Sequence, residues 1–382
     1  MASCGERKAM NPQHMQHLFV TIVFGIKSMK MKIHSKKVIL FVTGMLTLFA
    51  ILPAFSTKPF PISSNDSILN WMKNENVPTV GICIIEDAKI QQIKMIGNIE
   101  YHSPAPENTL FNIASLTKPL ISMTTLKLVS DGQWQLDEPL CHYWTDPDVV
   151  NDTLNRKLTT RHVLSHQSGL PNWRGHEPNG KLSFAFEPGT QWKYSGEGFE
   201  YLRKALEVKF NTPIERLVDS LLFKPLGMNN TRFYWDNTVD STLYADRYDT
   251  EGKLYAKEKW YSANASNLVL TTVEDYGKFV IAILKGNYLS PEVQNEMIQK
   301  QALLNNGNEV GLGWFLIKNL SNGGYALYHS GSNRGQNTKI FLLPKSKKGI
   351  IIFTNGENGN KVCEKIISEY FDSGKEILNR IK

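Results

Sequence analysis

Cysteine is scarce in this sequence of 382 residues, which holds four at widely separated positions. Cys4, Cys83, Cys141 and Cys363 form no Cys-x-x-Cys pair, which excludes a cysteine-based metal knuckle and a dithiol redox motif. The spacing leaves a Cys83–Cys141 disulfide open. Isolated cysteines more often serve as small buried apolar side chains, so we expect free thiols.

Three further signatures are missing. The sequence has no Gly-x-Ser-x-Gly, which excludes the nucleophile elbow of an α/β-hydrolase, and no glycine-rich phosphate loop ending in Gly-Lys-Ser/Thr. His162 and His166 stand four apart, as zinc ligands on a helix do, but valine and not glutamate follows the first. We interpret both histidines as structural and predict no metal and no cofactor.

Acidic residues are almost absent from residues 1–56, where Glu6 stands against seven lysines and arginines. Removing those seven from 43 basic residues and that one from 36 acidic residues leaves 36 and 35. The rest of the chain is therefore close to neutral, which argues against a nucleic-acid partner.

The basic segment continues into an apolar one. Lys36 and Lys37 precede an almost wholly apolar run over residues 38–55, and small polar residues follow it. This arrangement predicts a secretory signal cleaved near Thr57. An uncleaved membrane anchor is the alternative, because the run is close to the ~18 residues typical of a span. Either form predicts export, to the periplasm or to a membrane anchor facing it.

The domain organisation follows from this division. Residues 1–56 are interpreted as signal peptide or anchor and residues 57–382 as one folded domain. Met29 and Met31 make more natural starts than Met1, and the stretch before them is interpreted as an over-long N-terminus.

Strand patterns lie at both ends of the domain, and helical patterns lie between them. Short runs rich in Val and Ile predict strands over 79–86, 90–96, 313–317, 325–329, 338–343 and 349–354. Helices are predicted over 68–74, 116–130, 197–210, 213–223, 272–284, 291–301 and 361–371. This order predicts an α+β fold, with an antiparallel sheet built from both chain ends, flanking helices and a mostly helical subdomain.

A serine and a lysine stand three apart at the start of one predicted helix. Ser115 and Lys118 would lie on one face, one turn apart, so that an amine comes within reach of a hydroxyl. A serine hydroxyl is a weak nucleophile and needs such a base. Alone the tetrapeptide is a weak signal, because a capping serine followed by an exposed lysine is common.

Two further segments make the pattern specific. Tyr194-Ser195-Gly196 follows a turn, and His329-Ser330-Gly331 lies among the C-terminal strands. In this order and spacing the three motifs resemble the serine β-lactamase and penicillin-binding-protein superfamily, in its class C, D-Ala-D-Ala carboxypeptidase and esterase branch. The resemblance extends over residues 65–372, is supported by stretches 164–171, 225–228 and 265–268, and implies a β-lactamase/transpeptidase-like fold for the domain.

The resemblance implies a role for each residue of the first two motifs. Ser115 would be the nucleophile, Lys118 the amine that polarises it, and Tyr194 a proton shuttle between Ser115 and the leaving group. A free lysine has a pKa of ~10.4, so it must be lowered before it can act as a base at pH 7. Burial and a neighbouring positive charge are expected to lower it.

The third motif is implied to bind the substrate. His329, Ser330 and Gly331 fill the position that is Lys-Thr-Gly in many β-lactamases and often His-x-Gly in peptidases and esterases. The backbone N–H groups of Ser115 and Ser332 would form the oxyanion hole. Gly331 has no side chain and lets an edge strand approach the substrate closely.

Two departures from the family pattern bear on the substrate. Gly196 stands where the family usually has an asparagine that supports the lysine, and His329 stands where many members have a permanent cation. Both make efficient β-lactam hydrolysis less favoured than ester or peptide hydrolysis. Arg334 replaces the missing cation if it points into the site; a solvated arginine on a turn is the alternative.

The sequence thus predicts an exported serine hydrolase that forms an acyl-enzyme on an ester, peptide or β-lactam carbonyl. The alternative is a penicillin-binding or sensor-type protein that keeps the fold without efficient turnover. The expected partner is a small molecule or a peptidoglycan-peptide-like substrate, with membrane contact only through an uncleaved N-terminal segment. The candidate walls of the cleft are Trp173, Trp192, Tyr261, Asn264 and Asn333.

Overall fold

The structure is a computed structural model that describes residues 62, 64–100, 103–177 and 179–382. The predicted signal peptide or anchor over residues 1–56 lies outside the described residues. Within the described part of the chain, no helix is both long enough and apolar enough to cross a membrane.

The strands form one large antiparallel sheet and one small pair. In chain order they are β1 (Thr79–Glu86), β2 (Lys89–Glu100), β3 (Ser103–Pro104), β4 (Phe111–Asn112), β5 (Leu270–Thr271), β6 (Ala302–Leu303), β7 (Glu309–Val310), β8 (Phe315–Ile317), β9 (Ala326–Asn333), β10 (Gln336–Leu343) and β11 (Lys348–Thr354). The nine-stranded sheet has the order β3-β2-β1-β11-β10-β9-β8-β7-β6, and β4 pairs with β5. The first strand lies beside the last, so the sheet is built from both chain ends.

Helices connect and cover these strands. In chain order they are α1 (Asp66–Asn74), α2 (Thr117–Ser130), α3 (Thr160–Leu164), α4 (Glu197–Phe210), α5 (Ile214–Val218), α6 (Lys224–Leu226), α7 (Val273–Lys285), α8 (Pro291–Met297), α9 (Gly359–Tyr370) and α10 (Gly374–Ile381). Helices α2 to α6 lie between β4 and β5 in the chain, where the mostly helical subdomain is predicted.

The sheet is buried on both faces, because side chains alternate along each strand. In β11, Ile350 and Ile352 pack with α1, α9 and α10 in one apolar cluster. Ile351 and Phe353 belong to the other cluster, which includes side chains of α2, α4 and α7. The predicted α+β fold, an antiparallel sheet with flanking helices, is confirmed.

Some predicted boundaries are wrong for reasons that the backbone shows. The helix predicted over 291–301 ends at Met297, because the Gln301 N–H donates to the Val310 carbonyl and the chain enters β6. The strand predicted over 325–329 continues to Asn333, so the third motif lies inside β9. The helix α10 was not predicted.

The described cysteines are all free. Cys83 and Cys363 are buried and Cys141 is partly exposed, so the Cys83–Cys141 disulfide left open by the sequence is not formed in this structure.

Candidate active site

Ser115 lies in a one-turn 3₁₀ helix, Ala114–Leu116, directly before α2. The residue before it, Ala114, has a φ of 48°, a left-handed conformation that side chains other than glycine rarely adopt. The Asn112 side-chain oxygen accepts a hydrogen bond from the Ala114 N–H at 2.7 Å and holds this conformation. Such strain is typical of functional sites, where the surrounding contacts maintain it.

The amine of Lys118 lies beside the Ser115 hydroxyl. Its Nζ donates to Ser115 Oγ at 3.2 Å and to the Ser266 carbonyl oxygen at 2.8 Å, and the side chain is fully buried. Burial lowers the pKa of Lys118 from 10.5 to about 7, against the opposing effect of the Glu200 carboxylate. The prediction that a neighbouring positive charge helps to lower the pKa of Lys118 is therefore wrong, because the nearby charge that acts on it is the negative one of Glu200. At neutral pH a large fraction of this amine is unprotonated and able to accept a proton.

Tyr194 completes a compact group with these two side chains. Its phenol is hydrogen-bonded to Ser115, and the Lys118 Nζ lies 4.7 Å from the centroid of its ring. Burial raises the pKa of Tyr194 above its ordinary value of 10, so the phenol is neutral and holds a proton to donate. The structure thus brings the serine, lysine and tyrosine of the first two motifs together.

His166 lies against Tyr194, which the sequence does not indicate. The two ring centroids are 4.2 Å apart, and His166 Nδ1 accepts a hydrogen bond from the Ser195 N–H at 3.2 Å. Burial, with the nearby Lys118 and His329, lowers the pKa of His166 well below 6.5, so the ring is neutral. His166, which the sequence analysis interprets as structural, thus contacts both Tyr194 and Ser195 of the second motif. Stretch 164–171, which supports the family resemblance, contains His166 and is the sequence feature that could have marked this position.

The third motif lies on β9, which packs directly against the 3₁₀ helix that carries Ser115. We call residues 112–116 the nucleophile loop. A β-carbon on Gly331 would lie 2.4 Å from the Ile113 carbonyl oxygen and 2.9 Å from the Ser115 nitrogen. Thr338, opposite Gly331 on β10, donates to that same Ile113 oxygen at 3.1 Å. The absence of a side chain at Gly331 is therefore what allows this strand to lie against Ser115.

His329 is buried and neutral. Its Nδ1 lies 2.9 Å from the Ser330 carbonyl oxygen, and burial together with Lys118 lowers its pKa to about 3. The side chains of Ser330 and Ser332 lie on the opposite face of the strand from His329 and are exposed. Ser332 Oγ donates to Asn337 Oδ1 at 2.9 Å. The histidine thus supplies no cation to the site at neutral pH.

Arg334 lies on the turn after β9 and is exposed. Its guanidinium carbon is 4.2 Å from the centroid of the Tyr255 ring, a cation–π arrangement. The structure therefore shows it stacked on a neighbouring loop.

Gly196 stands against Asn172, a residue that the sequence does not mark. A β-carbon on Gly196 would lie 2.8 Å from the Asn172 carbonyl oxygen, and the Gly196 N–H donates to Asn172 Oδ1 at 2.9 Å. The support for Lys118 comes instead from the Ser266 carbonyl. Ser266 is held in turn by Asn264, whose Oδ1 accepts from the Ser266 N–H and Oγ, both at 2.9 Å.

The other candidate walls are distributed around this centre. Trp173 and Asn264 line a cavity of about 390 Å³ beside α4, together with Trp144 and Arg174. The Trp192 ring stacks edge-on against His166, at 6.4 Å between centroids. Tyr261 is 72% exposed. Asn333 donates hydrogen bonds to Asn112 and Asn267. Among the residues that the structure describes, no group of three or more His, Cys, Asp or Glu could hold a metal ion.

Comparison with known proteins identifies the family of the chain. A protein-family model described as Beta-lactamase matches residues 67–367, and the chain belongs to that family. It is 25% identical over 299 residues to penicillin-binding protein 4* of Bacillus subtilis, covering 69% of this chain and 64% of that protein. It is 26% identical over 374 residues to beta-lactamase-like protein 4 of Dictyostelium discoideum, with 82% and 65% covered. The chain thus spans just under two thirds of the length of these relatives.

A shorter match is to esterase EstB of Burkholderia gladioli, 29% identical over 158 residues, which cover 34% of this chain and 40% of the esterase. The Beta-lactamase family places the chain in the serine β-lactamase and penicillin-binding-protein superfamily that the three motifs resemble.

Solved structures share the fold. The octameric penicillin-binding protein homologue from Pyrococcus abyssi has a TM-score of 0.67 at 23% identity, covering 77% of this chain and 73% of that one. D-alanine carboxypeptidase AmpC from Burkholderia cenocepacia has a TM-score of 0.64 at 20% identity, with 80% and 97% covered. The β-lactamase/transpeptidase-like fold expected from the motifs is confirmed.

Proposed function

We propose that this protein is an exported serine hydrolase that forms an acyl-enzyme on Ser115. The observation that carries the proposal is the fully buried amine of Lys118, 3.2 Å from Ser115 Oγ, with its pKa lowered to about 7. Burying a lysine amine costs folding free energy, and such groups with shifted pKa values are concentrated at functional sites. A general base works best when its pKa lies near the operating pH.

The residues divide the proton transfers between them. The unprotonated Lys118 accepts the proton of Ser115 Oγ as that oxygen bonds to the substrate carbonyl carbon. Backbone N–H groups of Ser115 and Ser332 stabilise the resulting oxyanion, each worth about 3 kcal/mol in the transition state. As the tetrahedral intermediate collapses, Tyr194 donates its proton to the leaving group and regains one from the Lys118 ammonium. Water then attacks the acyl carbon and gives one proton to the unprotonated Lys118, which passes it to Ser115 Oγ as the bond between that oxygen and the acyl carbon breaks and the acid is released.

The charges around the site favour a neutral substrate. His329 is neutral because its pKa is lowered to about 3, and the Arg334 guanidinium is stacked on Tyr255. Neither group offers the fixed cation that would bind a substrate carboxylate by paired hydrogen bonds. We therefore propose an ester or an uncharged peptide-like carbonyl as substrate, ahead of a β-lactam or a D-Ala-D-Ala terminus.

The test of this proposal replaces Ser115 with Ala and follows hydrolysis of a short-chain nitrophenyl ester. We expect the rate to fall to background. Ser346→Ala is the matched control, because that hydroxyl lies in the turn between β10 and β11 and donates only to the Leu343 carbonyl. Unchanged turnover in Ser115→Ala contradicts the proposal.

A penicillin-binding sensor is the second candidate, because Gly196 replaces the usual asparagine of the second motif. A fluorescent penicillin separates the two functions. Stable labelling of Ser115 without release supports a sensor, and labelling followed by release supports an enzyme. Ester turnover without any labelling supports the neutral-substrate hydrolase proposed above.

Export is proposed from the basic pair Lys36-Lys37 and the apolar run over residues 38–55. N-terminal sequencing of the expressed protein should begin near Thr57, in a periplasmic fraction. A membrane fraction in which the segment is retained supports the anchor. A chain that still starts at Met1 in the soluble cytoplasmic fraction contradicts export.

A further inference from the structure

Three asparagines from distant parts of the chain bond to one another beside the site. Asn333 Nδ2 donates to Asn267 Oδ1 at 2.8 Å and to Asn112 Oδ1 at 3.3 Å. Asn267 Nδ2 donates back to Asn333 Oδ1 at 3.1 Å. We call this group the asparagine bridge. Because an amide nitrogen carries two hydrogens, the two donations from Asn333 use both of them.

Each member of the bridge adjoins a working part of the site. Asn112 Oδ1 also holds the strained Ala114 N–H at 2.7 Å, directly before Ser115. Asn267 follows Ser266, whose carbonyl accepts from the Lys118 amine.

The third member lies on the strand of the third motif. Asn333 follows Ser332, whose N–H is the second proposed oxyanion donor. The bridge therefore connects the nucleophile loop, the acceptor of the lysine and the strand that carries the oxyanion donor.

We propose that Asn333 is a positioning residue, which through the asparagine bridge sets the distance between the oxyanion donors and the Ser115–Lys118 pair. This rests on the proposed function. Oxyanion donors act only when aimed at the place where charge develops, and a displacement of about 1 Å costs about 10²-fold in rate. The proposed role gives no member of the bridge a contact with the reacting carbonyl, so its loss should lower kcat much more than it weakens substrate binding.

The chemistry of the bridge requires an amide at position 333. A carboxylate cannot donate to Asn112 and Asn267, and an alanine neither donates nor accepts. Asn333 and Asn267 are both only half-buried, so neither truncation opens a cavity in the apolar core.

The experiment compares Asn333→Ala, Asn267→Ala and the double variant with the wild type. Ester hydrolysis gives kcat and KM, and inhibition by phenylboronic acid, which forms a tetrahedral adduct with a serine, reports transition-state complementarity. We expect each single variant to lose roughly 10-fold to 100-fold in kcat, with KM within about threefold. The boronic acid inhibition constant should rise by the same factor as kcat/KM falls.

The double variant and a control make the test specific. Residues of one network are not additive, so the double variant should lose no more than the worse single variant. Asn155→Ala is the control: its Nδ2 also makes two donations, to the Val149 and Val150 carbonyls, on a segment that holds no site residue. It should lose stability without losing kcat.

Several outcomes overturn the inference. These are an unchanged kcat, a loss confined to KM, fully additive losses, or an equal kcat loss in Asn155→Ala. If Asn333→Ala does not fold, Asn267→Ala carries the test, because it breaks the same bridge without altering β9. Turnover that survives Ser115→Ala refutes the proposed function itself, whereas turnover that requires Ser115 but ignores the bridge refutes only the role of Asn333.

Discussion

The amine of Lys118 is bonded to the main-chain carbonyl of Ser266, 148 residues further along the chain, at 2.8 Å. This bond gives the lysine the second partner that Gly196 cannot supply. Because a main-chain carbonyl supports the amine without a charge, it leaves burial as the main influence on the pKa of Lys118. The loss of the usual asparagine therefore does not by itself remove the base.

The pH dependence of ester hydrolysis should report Lys118. The amine accepts a proton only when it is unprotonated, so kcat/KM should fall as the pH decreases through about 7. His329, with its pKa lowered to about 3, should contribute no limb between pH 5 and 8. The measurement uses an ester with no ionisable group, so that its own titration does not enter. A flat profile from pH 5.5 to 8 is incompatible with Lys118 as the base.

Lys118→Met should remove activity and increase stability at low pH. Folding lowers the pKa from 10.5 to about 7, so the unfolded chain binds more protons between these values. The penalty is about 5 kcal/mol below pH 7 and declines as the pH rises from 7 toward 10.5.

The Met variant escapes this penalty but leaves the Ser266 carbonyl without its partner, at a cost of about 2 kcal/mol. Urea unfolding should therefore show a gain of about 3 kcal/mol at pH 6 and almost none at pH 9, where the remaining penalty is about 2 kcal/mol. A gain that is equal at both pH values, or a loss at pH 6, contradicts a buried amine of lowered pKa.

Gly331→Ala should abolish turnover by moving β9 away from the nucleophile. The added β-carbon would lie 2.4 Å from the Ile113 carbonyl oxygen, which is backbone and cannot rotate aside. We expect a loss of at least about 100-fold in kcat, the scale of one misplaced oxyanion donor. Gly175→Ala is the control, because a β-carbon there meets nothing within 4 Å. Near-normal kcat in Gly331→Ala would show that the strand does not determine the oxyanion geometry.

Arg334→Ala separates the two interpretations of that arginine. The guanidinium lies over Tyr255, so we expect changes of less than about threefold for a neutral ester, a cephalosporin reporter and a D-Ala-D-Ala peptide. An arginine that reads a substrate carboxylate would instead lose the two acidic substrates by about 2 kcal/mol and keep the ester. The same three substrates measured on wild type and variant give the answer, and selective loss of the acidic pair contradicts the neutral-substrate proposal.

The sequence predicts this site as far as its contacts are local. Ser115 and Lys118 are three residues apart at the start of a helix that its apolar residues make recognisable, with Ser115 in the 3₁₀ turn before α2 and Lys118 in its first turn. The strand β1 and the helix α4 have the predicted bounds. The Ser266 acceptor and the partners of Asn333 are brought in by tertiary packing, which no spacing encodes.

The end of β9 illustrates the same limit. Its last residues, Ser330 to Asn333, are poor strand formers, and they are extended because they pair with β10. His166 is similar, since only the folded chain places its ring on Tyr194.

The central claim is that Ser115 carries the acyl group during turnover. Intact-mass spectrometry after rapid mixing with a slowly released nitrophenyl ester, followed by peptide mapping, tests this directly. We expect an added mass equal to the acyl group on the peptide that contains Ser115, which disappears as product forms and is absent from Ser115→Ala. Turnover without any adduct, or an adduct on a different residue that persists in Ser115→Ala, would contradict the account.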